Sequence, residues 1–310
     1  MGADDSRRPG GGQYTIGMLL IDASVYIFRA FHALPASIAG ADGRPLNAFH
    51  GYAGFLLGLL DATDESRVAA AFDESLTSSF RNTFYADYKA NRELPPVELT
   101  DQIAGCRELT EALGIATLSS PTYEADDLIG TLVQASDEPA TIVTSDKDLA
   151  QVLRDHDVLW DYARETRYDR QGITTRFGVA PDQIPDYLAL VGDTVDNIPG
   201  VAGIGAKTAA RLLSRFDTLE AMLDDTASVG ASDLRGAAGL ADKLAAGADQ
   251  ARLSRRLATI VCDIDLSPAQ RDIRRREVDS EAIEALCTRL GVGRNLRARL
   301  RDAGRGARHE

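Results

Sequence analysis

The chain is poor in the residues that mark secreted, zinc-bound or membrane-embedded proteins. Three cysteines in 310 residues, Cys106, Cys262 and Cys287, are an odd number with no close pair. That excludes a disulfide framework and a zinc knuckle and leaves free thiols suited to a reducing cytoplasm. No apolar run is long enough to span a bilayer. The start, with Arg7, Arg8 and the glycines at 10, 11 and 12, has no apolar stretch of the kind a signal peptide needs, so 1–13 reads as a disordered tail. Positive charge is also short, at 34 Lys and Arg against 47 acids and a net −13, with no long basic stripe. This deficit does not exclude a nucleic-acid partner. Distribution counts for more than the sum, and nine of the acids fall in one candidate cluster where bound cations would reverse the local field. A hydrophobic content of 44% with 26% charged residues is that of a soluble globular protein, and no internal repeat is present.

What the chain does have is acid in particular places. Tyr123-Glu124-Ala125-Asp126-Asp127-Leu128 sets three carboxylates at the head of a helically spaced apolar run, Leu128, Ile129, Leu132 and Val133. Alone, the stretch fits either a helix start, where the macrodipole favours negative charge, or a metal site. The predicted strands add to it. Met18 to Ile21 ends at Asp22, Val68 to Phe72 ends at Asp73, and Thr141 to Thr144 leads to Asp146 with Asp148 close behind. Apolar runs separated by helical patterns predict an α/β fold, a central, mostly parallel sheet flanked by helices, with ligands outside the carboxyl ends of the strands. Acids brought together there would repel and take up protons, and hard divalent cations are the natural counterweight.

Along the chain, Ser24 is predicted to cap a helix through His32, with Arg29 placed to hold a phosphate oxygen. Ala48 to Leu60 is an apolar helix with His50 at its core or edge. Between Ser78 and Pro96 aromatic and basic residues interleave. Tyr88 could stack on a base, and Lys89 and Arg92, three apart on a helix, could grip a phosphate; an amphipathic surface helix fits equally. A helix from Leu99 to Leu113 and strands at Ile115–Leu118 and Val158–Trp160 follow, with a loop or hairpin over Arg164–Val179 turning at Gly172. A helix from Pro181 to Val191 runs into Asp193 and Asp196. Gly200, Gly203 and Gly205 then open a helix whose first N–H groups, with Lys207, would face an anion. Lacking Walker spacing and a preceding strand, this turn fits a helix-hairpin-helix grip on a sugar-phosphate backbone. The remainder is helical, with an Ala/Gly-rich stretch over 226–248 short of bulky anchors and arginines from Arg271 to Arg301 on solvated faces. The expected organisation is the tail, an α/β core over 14–185 with a clamp at about 78–100, and a helical region over 186–310 with its hairpin at about 186–216.

In order, the chain carries Leu20-Ile21-Asp22-Ala23-Ser24 followed by Tyr26 to Leu34, Ala71-Phe72-Asp73, Tyr88-Lys89-Ala90-Asn91-Arg92, Glu124-Ala125-Asp126-Asp127, Thr144 to Leu153, and Gly192 to Ala209. In these blocks it resembles the bacterial 5′ nuclease family, the 5′-3′ exonuclease domain of DNA polymerase I and its free-standing relatives, grouped with the flap endonucleases. The resemblance implies a PIN-like 5′ nuclease core. One Mg²⁺ or Mn²⁺ ion would lie near Asp22, Asp73, Glu124 and Asp126 and a second near Asp146, Asp148, Asp193 and Asp196, with Asp127 serving one or the other. It further implies Arg29, Lys89 and Arg92 as phosphate contacts in catalysis, Tyr88 as an aromatic stacker, and Arg81 to Pro96 as an arch around a single-stranded 5′ arm. Gly200, Gly203, Gly205, Lys207 and Thr208 would form a DNA-binding helix-two-turn-helix able to hold K⁺. The expected partner is DNA with 5′ flaps, gaps or 5′ ends, RNA-primed ends included, and the expected protein is a nucleoid-associated, cytoplasmic monomer standing alone without a polymerase module. Two rivals make different demands: a PIN-like ribonuclease does not need the Gly200–Lys207 hairpin, and a non-catalytic junction-binding protein does not need the acids.

Overall fold

The computed structural model describes residues 17–75 and 79–306; the expected tail at 1–13 and Ser78, at the edge of the clamp, lie outside the described residues. The central sheet is built from β1 (Met18–Asp22), β2 (Arg67–Asp73), β3 (Ala116–Ser120), β4 (Ala140–Val143), β5 (Val158–Asp161) and β6 (Thr166–Tyr168), in the order β3-β2-β1-β4-β5-β6. The pairings are parallel except for β6, which runs antiparallel to β5. The central strands β1 and β2 are buried on both faces, which is why they are apolar along nearly their whole length, whereas the edge strands β3 and β6 carry polar residues. Met18 and Leu20 of β1 join Ala69, Ala71 and Ile142 in one cluster, while Leu19 and Ile21 join Val68, Ala70, Phe72 and Val143 in the other.

The second cluster is covered by α1 (Ala23–Ala33), α2 (Asn47–Asp61) and α3 (Val97–Ala112). Here α1 and α2 approach closely because of Gly51, where a Cβ would come within 2.6 Å of the Ala30 methyl. Phe49, Tyr52 and Leu56 of α2 are fully buried, and truncating such a leucine typically costs about 2–5 kcal/mol. Asp22, not Ser24, caps α1, accepting from the Val25 N–H at 3.4 Å; the Ser24 hydroxyl instead accepts from the Asp73 N–H at 3.0 Å. His50 is exposed. The chain moves outward from β1 to β2 to β3, and then α4 (Ala125–Gln134) crosses on the opposite face and returns it to β4 beside β1. The direction of winding therefore reverses between β1 and β4, the position at which open α/β sheets form a ligand crevice.

The helical half contains α5 (Arg170–Phe177), α6 (Ile184–Val191), α7 (Ala206–Phe216), α8 (Leu219–Asp224), α9 (Thr226–Gly230), α10 (Ala237–Ala246) and α11 (Ala248–Ala258), with α6 packed on α7 and α11. Four expectations change. Gly172 lies inside α5, its N–H bonded to the capping Asp169 at 2.7 Å, and not at a turn. The Ala/Gly-rich stretch forms α9 and α10, anchored by buried Val229, Leu240 and Leu244. Phe80–Thr83 is a single 3-10 turn followed by further turns, so Lys89 and Arg92 do not share a helix. Finally, 186–310 is not one unit in space. After α11 the backbone returns to the sheet, where Ile273 O accepts from Val68 N at 2.8 Å. This contact follows α12 (Pro268–Arg271), and the chain continues to α13 (Ser280–Leu290) and α14 (Arg294–Gly306), which pack on α3 and α2. There Arg297 and Arg301 converge on Glu284.

Candidate active site

Strand alternation aims the acids. Asp22 follows Leu20 and Asp73 follows Ala71, so both leave the sheet on the face covered by α4, at the winding reversal. The Asp73 carboxylate accepts from the Ala125 N–H at 2.9 Å and pins the first turn of α4 to the end of β2. On the other side, Thr144 donates to Asp22 Oδ2 at 2.8 Å and accepts from the Asp146 N–H at 2.9 Å; Asp146 in turn accepts from the Asp148 N–H at 2.8 Å. Strand ends, a helix start and one tight turn thus bring Asp22, Asp73, Asp126, Asp146 and Asp148 into one pocket.

Their protonation behaviour shows how poorly they are neutralised. Burial pushes Asp22 up to about 7, helped by repulsion from Asp73 and Asp146 and opposed by the Thr144 hydrogen bond. Burial raises Asp126 well above the usual carboxylate range, with repulsion from Asp146, Asp22 and Asp73 adding to it. Asp148 rises to about 7, first through burial and then through Asp146. Burial also raises Asp73, against the attraction of Lys89. Asp148 Oδ1 accepts no hydrogen bond, although Lys147 Nζ lies 3.4 Å away. Asp193 behaves in the opposite way: burial works to raise it, but Lys147 at 2.5 Å and the Val195 N–H at 2.8 Å hold it below the usual value.

The rim of the pocket is cationic. Lys89, in the left-handed region at φ 55°, places its ammonium on Glu124 and 3.7 Å from Asp196 Oδ2, while Arg92 reaches Asp196 Oδ1 at 2.5 Å. The Lys89 N–H donates to Asp196 O at 3.1 Å, so the 88–92 turn is docked on Glu124 and on the loop carrying Asp196. With the side chains in these positions, no group of three acids among the described residues converges on one point at ligand spacing. Arg29 is exposed on α1. Lys147 and Thr144, which sequence reasoning passed over, sit inside a block it had singled out.

Three expected residues have other settings. Tyr88 is 3% exposed, its hydroxyl donating to Glu124 at 3.0 Å, so its ring has no open face for a base. Asp127 is fully buried and saturated: it receives two Arg81 N–H groups at 2.8 Å each, the Glu124 N–H at 3.1 Å and the Val261 N–H at 2.9 Å. It has no lone pair left for a metal. Arg81, expected at DNA, spends its remaining donors on Glu124, Leu257 O and Thr259 O and bolts α4 to the end of α11.

At the glycine turn, Gly200 adopts φ 67°, and a Cβ there would lie 2.4 Å from Gly192 N, so only glycine permits this contact. The Gly200 carbonyl accepts from Gln250 at 2.6 Å and the Gly203 carbonyl from the Lys243 ammonium at 3.0 Å. Gly205 precedes α7 without a side-chain cap; Lys207 is exposed and Thr208 half-buried.

Residues 17–178 match the family model of the 5′-3′ exonuclease N-terminal resolvase-like domain, and residues 179–281 that of the 5′-3′ exonuclease C-terminal SAM fold. The DNA polymerase I of Pseudomonas aeruginosa is 40% identical over 293 residues, covering 92% of this chain and 32% of the relative. The Mycobacterium tuberculosis enzyme is 37% identical over 294 residues, covering 92% and 31%. The chain therefore spans about a third of the length of the curated relatives it matches. In fold, it is similar to the T5 D15 protein co-crystallised with metal ions (TM-score 0.63, 18% identity, 93% of this chain and 98% of that one). It is also similar to the catalytic core of Rad2 in complex with DNA substrate (TM-score 0.62, 17% identity, 93% and 92%). With both halves matched in order on one sheet and one helical region, the chain belongs to the 5′-3′ exonuclease family.

Proposed function

We propose that this chain is a structure-specific, metal-dependent 5′ nuclease that hydrolyses DNA phosphodiesters at 5′ flaps, gaps and 5′ ends, RNA-primed ends included, and works as a monomer at the nucleoid. The observation that carries the reading is the pocket of under-neutralised acids, Asp22, Asp73, Asp126, Asp146 and Asp148, with the Asp148 oxygen that accepts no hydrogen bond. An all-oxygen donor set without His or Cys suits hard cations, hence Mg²⁺ or Mn²⁺. Asp22, Asp73, Glu124 and Asp126 would hold one ion and Asp146, Asp148, Asp193 and Asp196 another. When bound, such ions supply an activated water and neutralise charge at the leaving oxygen. The chain's own part is positioning. Lys89 and Arg92, at the pocket rim, orient the scissile phosphate and stabilise its developing charge, and Arg29, exposed on α1, would be a further phosphate contact. The start of α7 with Lys207 and Thr208 holds a phosphate of the duplex. The relatives' name, DNA polymerase I, and the DNA-bound state of the Rad2 core support the choice of DNA.

Potassium does not fit the glycine turn as it stands, because the Gly203 and Gly200 carbonyls are engaged by Lys243 and Gln250. Residues 179–281, matched to the C-terminal SAM fold, argue against the PIN-like ribonuclease, and the acid pocket against a silent junction binder. The test is cleavage of a 5′-flap oligonucleotide with Mn²⁺ by wild type and by Asp148→Asn. Expected is release of the 5′ arm by wild type and loss in the variant; equal cleavage by both would remove the assignment.

A further inference from the structure

Many cations of this acid-rich chain are paired with acids among the described residues. Arg67, Arg81, Arg154, Arg170, Arg255 and Arg297 each sit within ion-pair distance of a carboxylate, and they are not the only ones. A cleft of about 370 Å³ between α5 and α7 gathers cations without such pairing. Arg176, Lys207 and Arg211 line it, no acid does, and none of the three has a carboxylate partner among the described residues.

The local sequence builds this grouping. Lys207 and Arg211 are four apart on α7 and share a face. Gly178 ends α5 at φ 75°, and a Cβ there would lie 3.2 Å from the Ala210 methyl, so two small residues let the end of α5 abut α7 and bring Arg176 alongside. The Arg176 guanidinium lies 4.9 Å from the centroid of the Tyr168 ring and 5.1 Å from that of Phe177, so it is held in place before any ligand arrives. Tyr187 lines the same cleft and feels the charge of Lys147, whose ammonium bonds Asp193 at 2.5 Å. Tyr187 stands on α6, which leads through Gly192 to Asp193, so chain connectivity joins the cleft to the acid pocket.

Three uncompensated cations on two elements in a protein of net charge −13 carry a repulsive energy that a polyanion would relieve. We propose that the α5–α7 cleft is a further phosphate site, in which Arg176 and Arg211 extend along the duplex backbone the grip begun at Lys207. The inference rests on the nuclease reading and adds α5 to the DNA-binding surface. Arg176 and Arg211 are positioning residues, since they act on the duplex and not at the scissile bond.

The experiment measures, in EDTA, the Kd of the full chain for a fluorescent 5′-flap DNA and for its single-stranded arm alone across a KCl series. It compares wild type, Arg176→Ala/Arg211→Ala and Arg176→Lys/Arg211→Lys. Each phosphate contact contributes about 0.9 to the slope of log K against log salt. The alanine variant is expected to bind the flap about tenfold or more weakly with a slope smaller by about two. Its affinity for the single-stranded arm and its melting temperature should be unchanged, and the lysine variant should recover the slope. An unchanged flap Kd and slope, or an equal loss on the single-stranded arm, would overturn the site. Wild type that cleaves the flap with Mn²⁺ while the alanine variant binds as wild type does sinks this inference alone; wild type that neither binds nor cleaves sinks the nuclease reading with it.

Discussion

Asp126 and Asp127 are adjacent in sequence and opposite in circumstance. Asp127 is sealed, taking two hydrogen bonds from Arg81 and two from backbone N–H groups. Asp126 faces Asp22, Asp73 and Asp146 and is raised well above the ordinary carboxylate range by burial and their repulsion. One acid has every partner it can use and builds the fold; the other has too few. Partner count, not charge or position along the helix, separates them.

Exchanging their roles by mutation should produce the largest effects. Asp127→Ala leaves Arg81 buried without its bidentate partner, and removing one half of such a pair costs about 3–5 kcal/mol. Urea denaturation should show that loss, while cleavage per folded molecule stays close to wild type. Asp126→Asn should do the reverse, losing at least about 10²-fold in cleavage, the scale of a single transition-state contact. Its denaturation midpoint should be unchanged or higher, because a repulsive charge is gone. If both variants lost stability alike, the distinction would disappear.

The same contrast predicts an unusual response to pH. Asp22 and Asp148 are raised to about 7 in the fold, against 3.8 when unfolded. Between those values the folded chain binds more protons than the unfolded chain, so stability falls as pH rises from about 4 to about 7, and the penalty is complete above that. In chelator, the melting temperature should be lower at pH 8 than at pH 5.5, by an amount equivalent to about 1–3 kcal/mol. Added Mn²⁺ should restore it at pH 8 and do little at pH 5.5. A metal-free protein more stable at pH 8 would contradict the pocket electrostatics.

Much of this was legible in the chain and some was not, for physical reasons. Strand ends bearing Asp22 and Asp73 and the turn after β4 bearing Asp146 are local patterns, and the period of two that buries both faces of β1 also aims Asp22, so sheet and pocket follow from short windows. Arg81 could not be placed in that way. Its partners Asp127, Leu257 and Thr259 lie far along the chain, and a basic residue among aromatics looks the same whether it meets DNA or a buried carboxylate. The burial of Tyr88 and the return of α13 and α14 to the α2–α3 face likewise depend on contacts between distant segments.

Lys89 offers a finer test on the cationic rim. Its ammonium occupies Glu124, so a divalent ion that uses Glu124 must first displace it, and the two events are thermodynamically linked. Lys89→Met should bind Mn²⁺ more tightly than wild type in the absence of DNA, by about fivefold if the contact contributes about 1 kcal/mol, while losing cleavage. Isothermal titration separates this from a residue that touches only DNA, whose removal would leave the Mn²⁺ affinity where it was.

The smallest effect belongs to Lys243, a cation that meets a backbone carbonyl instead of an acid. Its contact with Gly203 O is solvent-exposed, so its net contribution to folding falls within about 1 kcal/mol. Its consequence is one of ion preference. With the ammonium already on the turn, flap affinity of the wild type should be the same in NaCl and KCl at equal ionic strength. Lys243→Gln vacates that carbonyl and leaves an oxygen that a weakly hydrated cation can take. The variant should therefore bind the flap no more than about threefold more weakly in Na⁺ and recover in K⁺, a difference of under about 0.7 kcal/mol. Wild type that already prefers K⁺ would show that the ammonium leaves the turn when DNA arrives, and Lys243 would then belong with the cations that DNA displaces.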